Sequence, residues 1–126
     1  MSSPLDTANF KLKEFLCPCC GGGADIVKPE LLAALERLRR LSGGIRMVID
    51  SGYRCPKHNR AVGGAKDSAH LIGMAADIRD KNNAVKAVAY RVIILEACGL
   101  WSENVAFTPG WFHVQIRPAK ERVFTP

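Results

Sequence analysis

The chain reads as an α+β domain, a small and mostly antiparallel sheet with helices on one face. Two observations carry this. Apolar residues recur at helical spacing in two stretches, Leu31, Leu35 and Leu38, then Val85, Val88, Ala89, Val92 and Leu95. Between and after them lie segments that alternate apolar and polar, Met74 to Arg79 and Trp111 to Arg117. The resulting order is helix, strand, strand, helix, hairpin, which suits helices stacked on one side of an antiparallel sheet. At 126 residues the chain is expected to form one domain with one core, residues 1–126.

Residues 1–28 are expected to form an N-terminal arm and a Cys-rich loop, with Phe10, Leu12, Phe15 and Leu16 packing the arm down. Cys17-Pro18-Cys19-Cys20 then runs into Gly21-Gly22-Gly23. Pro29 suits the first turn of a helix, because a missing N–H costs nothing there. Leu32 and Leu41 widen its apolar stripe, and Ser42-Gly43-Gly44 ends it. Ile45 to Ile49 reads as a buried strand, and Ser51-Gly52 turns out of it. Pro56 starts a short helix to Ala61, which Val62-Gly63-Gly64 ends. Residues 65–73 read as an irregular loop carrying Ser68 and His70. On the strand Met74 to Arg79, Met74, Ala76 and Ile78 share one face, and Ala75, Asp77 and Arg79 the other.

Asn82-Asn83 is expected to cap a helix that runs to Cys98 and stops at Gly99. Residues 104–107 read as a weak strand and Thr108-Pro109-Gly110 as a turn. On the last strand, Phe112, Val114 and Ile116 go to the core, and Trp111, His113, Gln115 and Arg117 to the opposite face. Pro118 ends it. Asp77 and His113 thus fall on the non-core face of the sheet.

Composition narrows the function. With 48% hydrophobic and 24% charged residues, the chain is neither disordered nor fibrous. No apolar run approaches the roughly 20 residues that span a bilayer, so membrane insertion is not expected. The first residues lack a charged start followed by an apolar core, so the expectation is a protein made in the cytoplasm that reaches any outer site by release. A net charge of +6 favours an anionic partner, either nucleic acid or a bacterial envelope polymer. The basic residues are scattered without interleaved aromatics, which argues against nucleic acid.

All three histidines are His58, His70 and His113. His70, Asp77 and His113 offer two imidazole nitrogens and one carboxylate. That donor set suits catalytic zinc with one open position. Spacing alone favours three unrelated histidines and a surface aspartate. The motifs go further. SGYR at 51–54, HN at 58–59, VGG at 62–64, S-x-H-x-x-G-x-A-x-D at 68–77 and FHV at 112–114 follow in fixed order. In that order the chain resembles the zinc D-Ala-D-Ala carboxypeptidase and murein endopeptidase family, the LAS-type metallopeptidases. Their fold is shared with the Hedgehog signalling domain. The resemblance covers residues 10–118. It implies a Hedgehog/DD-peptidase-like fold, one catalytic zinc on His70, Asp77 and His113, and hydrolysis of peptidoglycan stem-peptide amides by a metal-activated water. It also implies that Arg54 binds substrate or polarises its carbonyl, and that Ser68 contacts substrate. Chemistry agrees with the first of these roles, since a guanidinium binds a carboxylate through two parallel hydrogen bonds. A compact chain of this kind looks like the phage or prophage lysis-enzyme branch, acting on the wall after release or carried on the virion.

The chain departs from that pattern. Several relatives carry a Glu general base three residues before the last His, where this chain has Gly110, and others an Asp two residues after it, where this chain has Gln115. Glu103 is the replacement base to expect and Asp80 a weaker one. Trp111 is either a substrate-pocket wall or a rim residue. His58 either orients a neighbour or caps its helix. An alternative function, a non-catalytic zinc-stabilised phage structural or wall-binding domain, follows from the missing base.

Five cysteines is an odd number, and without a secretion signal a disulfide framework is not the default. Cys17-x-x-Cys20 and Cys55-x-x-His58 are two chelating pairs that, brought together, would hold a second, structural zinc with Cys19 spare. A disulfide from Cys55 and free thiols remain open beside it. Cys98 reads as a small apolar core residue.

Overall fold

The computed structural model describes residues 3–126. Met1 and Ser2, the start of the expected arm, lie outside them. The elements are α1 (Pro29–Leu41), β1 (Ile49–Ser51), α2 (Pro56–Ala61), β2 (Ala75–Arg79), α3 (Ala84–Ala89), α4 (Val92–Cys98), β3 (Trp101–Glu103), β4 (Trp111–Gln115) and β5 (Val123–Phe124), with single 3₁₀ turns at Leu12–Phe15, Ala69–Ile72 and Val105–Phe107. The strands form one sheet in the order β1-β2-β4-β3-β5. Neighbours run antiparallel except β3 and β5, which are parallel. The α+β expectation holds. No helix among the described residues is long and apolar enough to cross a membrane.

Strand alternation divides the sheet. Ala76, Ile78, Phe112 and Val114 bury one face against Leu31, Leu35 and Leu38 of α1, Val85 and Ala89 of α3, and Leu95 and Cys98 of α4. Each fully buried Leu or Phe there contributes about 1.5–3 kcal/mol. The other face carries Asp77 opposite His113, a directly paired register between β2 and β4. The arm packs as expected. Phe10 and Phe15 are fully buried, ring edge to ring face at 6.5 Å. Glu36 on α1 ties the arm down by accepting from the Asn9 backbone N–H at 2.6 Å and its side-chain amide at 2.8 Å. Gly52 lets the arm close on β1, because a Cβ there would fall 2.5 Å from Phe15 Cα.

Several local expectations need correction. The first strand begins at Ile49 rather than Ile45. Its partner β2 ends at Arg79, whose N–H already reaches the Val48 carbonyl, so Ile45 to Met47 have nothing left to pair with. The helix expected from Asn83 to Cys98 is two helices. The chain breaks at Tyr90-Arg91, where Tyr90 stands edge-on to Phe112 at 6.1 Å, and the helix restarts at Val92. The break swings Val92 out of the expected stripe to 48% exposure. Asn82 helps cap α3 as expected, its Oδ1 accepting from Ala84 N–H at 3.2 Å, but Asn83 makes no side-chain cap bond and Asp80 shares the role, accepting from the Val85 and Lys86 N–H groups at 2.8 and 3.0 Å. The strand expected at 104–107 lies at Trp101–Glu103, where β4 offers partners. Residues 105–107 turn instead, with Asn104 Oδ1 accepting from Ala106 N–H. The last strand stops at Gln115, and β5 carries no alternation long enough to be read from sequence.

Candidate metal centre and cleft

His70 sits in the 3₁₀ turn that follows Ser68. The Ser68 hydroxyl accepts from the His70 N–H at 3.2 Å, and the chain reverses at Gly73 (φ 69°) into β2. Asp77 comes from the middle of β2 and His113 from the middle of β4. All three are buried. His70 Nε2 lies 3.2 Å and His113 Nδ1 2.8 Å from the same oxygen, Asp77 Oδ1. The rings meet edge to face at 5.2 Å between centroids.

The outward nitrogens decide which tautomer each ring takes. His70 Nδ1 is 2.7 Å from the Gly52 carbonyl, which can only accept, so Nδ1 carries the hydrogen and Nε2 is bare when the ring is neutral. His113 Nε2 is 2.8 Å from Gln115 Oε1. The Gln115 amide is oriented by its own Nε2–H donating to the Arg117 carbonyl at 2.9 Å, so Oε1 accepts from His113 and Nδ1 is bare. Two lone pairs and a carboxylate oxygen therefore converge on one point. Such a convergence repels itself unless a cation stands at its centre, and the donor set fits zinc.

The titration behaviour reports the same field. Burial raises the Asp77 pKa, but the His113 and His70 rings set against the carboxylate outweigh it and hold the carboxyl well below its usual range. Burial lowers the His113 pKa, but Asp77 beside it wins and raises it.

Arg54 closes the other side of the carboxylate. Its Nη2 donates to Asp77 Oδ2 at 2.9 Å, its Nε to Ser51 Oγ at 3.0 Å and its Nη1 to Asn59 Oδ1 at 3.2 Å. A guanidinium has five N–H donors, so about two remain uncommitted. Asn59 is buried and braced by its Nδ2–H to the Ala65 carbonyl at 2.8 Å. It and Gln115 are the site residues that the sequence analysis left without roles. The only signals were their places in the HN motif and two residues past His113.

These groups floor an open cleft of about 530 Å³. Glu103, Ser68 and Trp111 line it, as do Phe107 and Phe124, which sequence reasoning did not mark. Trp111 stands in the cleft wall. Asp80 does not line the cleft, and its carboxylate is spent on α3. At Gly110, where relatives carry the base, the backbone is left-handed (φ 87°), a conformation that a Glu side chain rarely tolerates. The turn before β4 thus disfavours a carboxylate side chain at position 110.

The second cluster also forms. Cys17, Cys20 and Cys55 bring their sulfurs within 4.8 Å of one another, but the His58 ring is not in the group. His58 contributes its backbone N–H, which donates to Cys55 Sγ at 3.4 Å. The five cysteines are free thiols, with no disulfide from Cys55.

A sheet face carrying an aspartate and a histidine, joined by a second histidine from the turn before β2, beneath a cleft with a half-buried arginine, defines a metallopeptidase-like centre. The chain matches the family model described as Peptidase M15 over residues 8–113 and belongs to that family, whose members are zinc-dependent peptidases. No curated protein matches it. The match spans His70, Asp77 and His113 together.

Proposed function

We propose that this protein is a zinc peptidase that hydrolyses peptidoglycan stem-peptide amides, as a D-Ala-D-Ala carboxypeptidase or endopeptidase of the phage or prophage lysis type. The observation that carries the reading is the convergence of His70 Nε2, Asp77 Oδ1 and His113 Nδ1 at the cleft floor. Zinc held by these three residues supplies a Lewis acid for the scissile carbonyl and acidifies a water. Arg54, with its uncommitted N–H groups, binds the carboxylate or carbonyl of the stem peptide. Ser68 contacts the substrate backbone, and Trp111 forms a wall against its side chains. The net charge of +6 draws the protein to an anionic wall.

Glu103 is the general base. It lines the cleft at the end of β3 and its charge acts on His113. It takes the proton of the attacking water and returns it to the leaving amine. Glu103→Gln is expected to keep zinc and fold while losing about 100-fold or more in rate. The measurement is amine release from purified muropeptides, with chelator and with zinc restored. An unchanged rate removes Glu103 as base. No release by zinc-loaded wild type on walls from several bacterial types would favour the non-catalytic, wall-binding alternative.

Gln115 is a positioning residue for His113. Gln115→Leu leaves the imidazole free to take the other tautomer and is expected to weaken zinc binding about 10–100-fold. Competition with a chromophoric chelator reads this directly. Zinc affinity equal to wild type would show that the β4 backbone alone holds the ring.

A further inference from the structure

We infer that Cys17, Cys20 and Cys55 form a second, structural metal site that takes a soft divalent ion of the zinc class. The three sulfurs lie within 4.8 Å of one another, on two chain segments separated by a helix and a strand. Each receives a backbone N–H at 3.4 Å: Cys17 from Cys55, Cys20 from Gly22, and Cys55 from His58. Amide donors aimed at sulfur favour thiolate over thiol, and thiolate is the metal ligand. Cys19, exposed beside them, is not in this group of three.

Thiolates held this close repel one another. A divalent cation removes that repulsion, and each further thiol gives its proton to solvent as it ligates.

The site would clamp the arm to the catalytic segment. Cys17 follows Phe15, whose carbonyl accepts from Tyr53 N–H at 2.8 Å, and Cys55 follows Arg54, whose N–H donates to the His70 carbonyl at 3.1 Å. The ion thus sits one residue from Arg54 and stands apart from the histidine centre.

The test uses the full chain, purified under reducing conditions and loaded with zinc or cobalt. Expected are about two metal ions per chain, and cobalt protein with intense sulfur-to-metal charge-transfer absorption. His113→Ala should keep that absorption, which separates this inference from the peptidase reading. Cys20→Ser together with Cys55→Ser should lose it. If those variants fail to fold, a mercurial thiol reagent on wild type should still release about one zinc per chain. Wild type with no sulfur-to-cobalt absorption would overturn the inference. So would loss of two titratable thiols to a disulfide in the zinc-loaded protein.

Discussion

A His113→Ala variant will keep its fold and hold less zinc than wild type. The imidazole is one of three groups converging on the cleft floor, and its removal leaves only His70 and Asp77. The loss should exceed the roughly 10–100-fold expected where only the ring's orientation is disturbed. Its pH dependence has a definite sign. Asp77 raises the His113 pKa above the ordinary value of about 6.5, so in metal-free protein the proton holds Nδ1 to a higher pH than in a free histidine. Zinc must displace that proton. Wild-type affinity at the histidine centre should therefore fall as pH drops through and below this raised value. Zinc per chain, measured for variant and wild type side by side, checks the first claim, and chelator competition across pH checks the second. Equal zinc content in the variant would remove His113 from the ligand set.

Arg54→Lys is the second large effect. The guanidinium bridges Asp77, Asn59 and Ser51 at once, with its side chain only 13% exposed. An ammonium carries charge but cannot span three acceptors in one plane and still offer a fork to substrate. Hydrogen bonds to charged groups are worth about 1.5–3 kcal/mol each. Asp77 keeps its histidine partners, so stability should fall by about that amount rather than by the full cost of an orphaned charge. Turnover should fall much further, with KM rising if the arginine holds a substrate carboxylate. Thermal melts and steady-state kinetics on muropeptides separate the two. A variant that loses stability alone would make Arg54 a brace for Asp77 and nothing more.

The parts of this molecule that were legible from sequence are those set by short-range rules. The leucine stripe of α1, the Pro56 start of α2, and the alternation of β2 and β4 each follow from period and punctuation within a few residues. That alternation alone put Asp77 and His113 on one face. What could not be read depended on distant partners. The first strand starts late because β2 has already ended, and helix 84–98 breaks because Tyr90 turns to meet Phe112. The Asp80 side chain looked like a spare base until α3 placed two N–H groups over it. Gln115 looked like a defect because the sequence does not show that the Arg117 carbonyl orients its amide. Spacing paired Cys17, Cys20 and Cys55, whose sulfurs do cluster, but also His58, whose ring is not in that group and which reaches Cys55 only through its backbone N–H.

Strand β5 gives the cleft a wall that lies beyond the family match. Phe124 and Pro126 border the cleft, yet the match ends at His113. The cleft is therefore bounded partly by the matched stretch, through Ser68 and Trp111, and partly by a tail outside it, so that a change in the last dozen or so residues would reshape the cleft while leaving His70, Asp77 and His113 where they are.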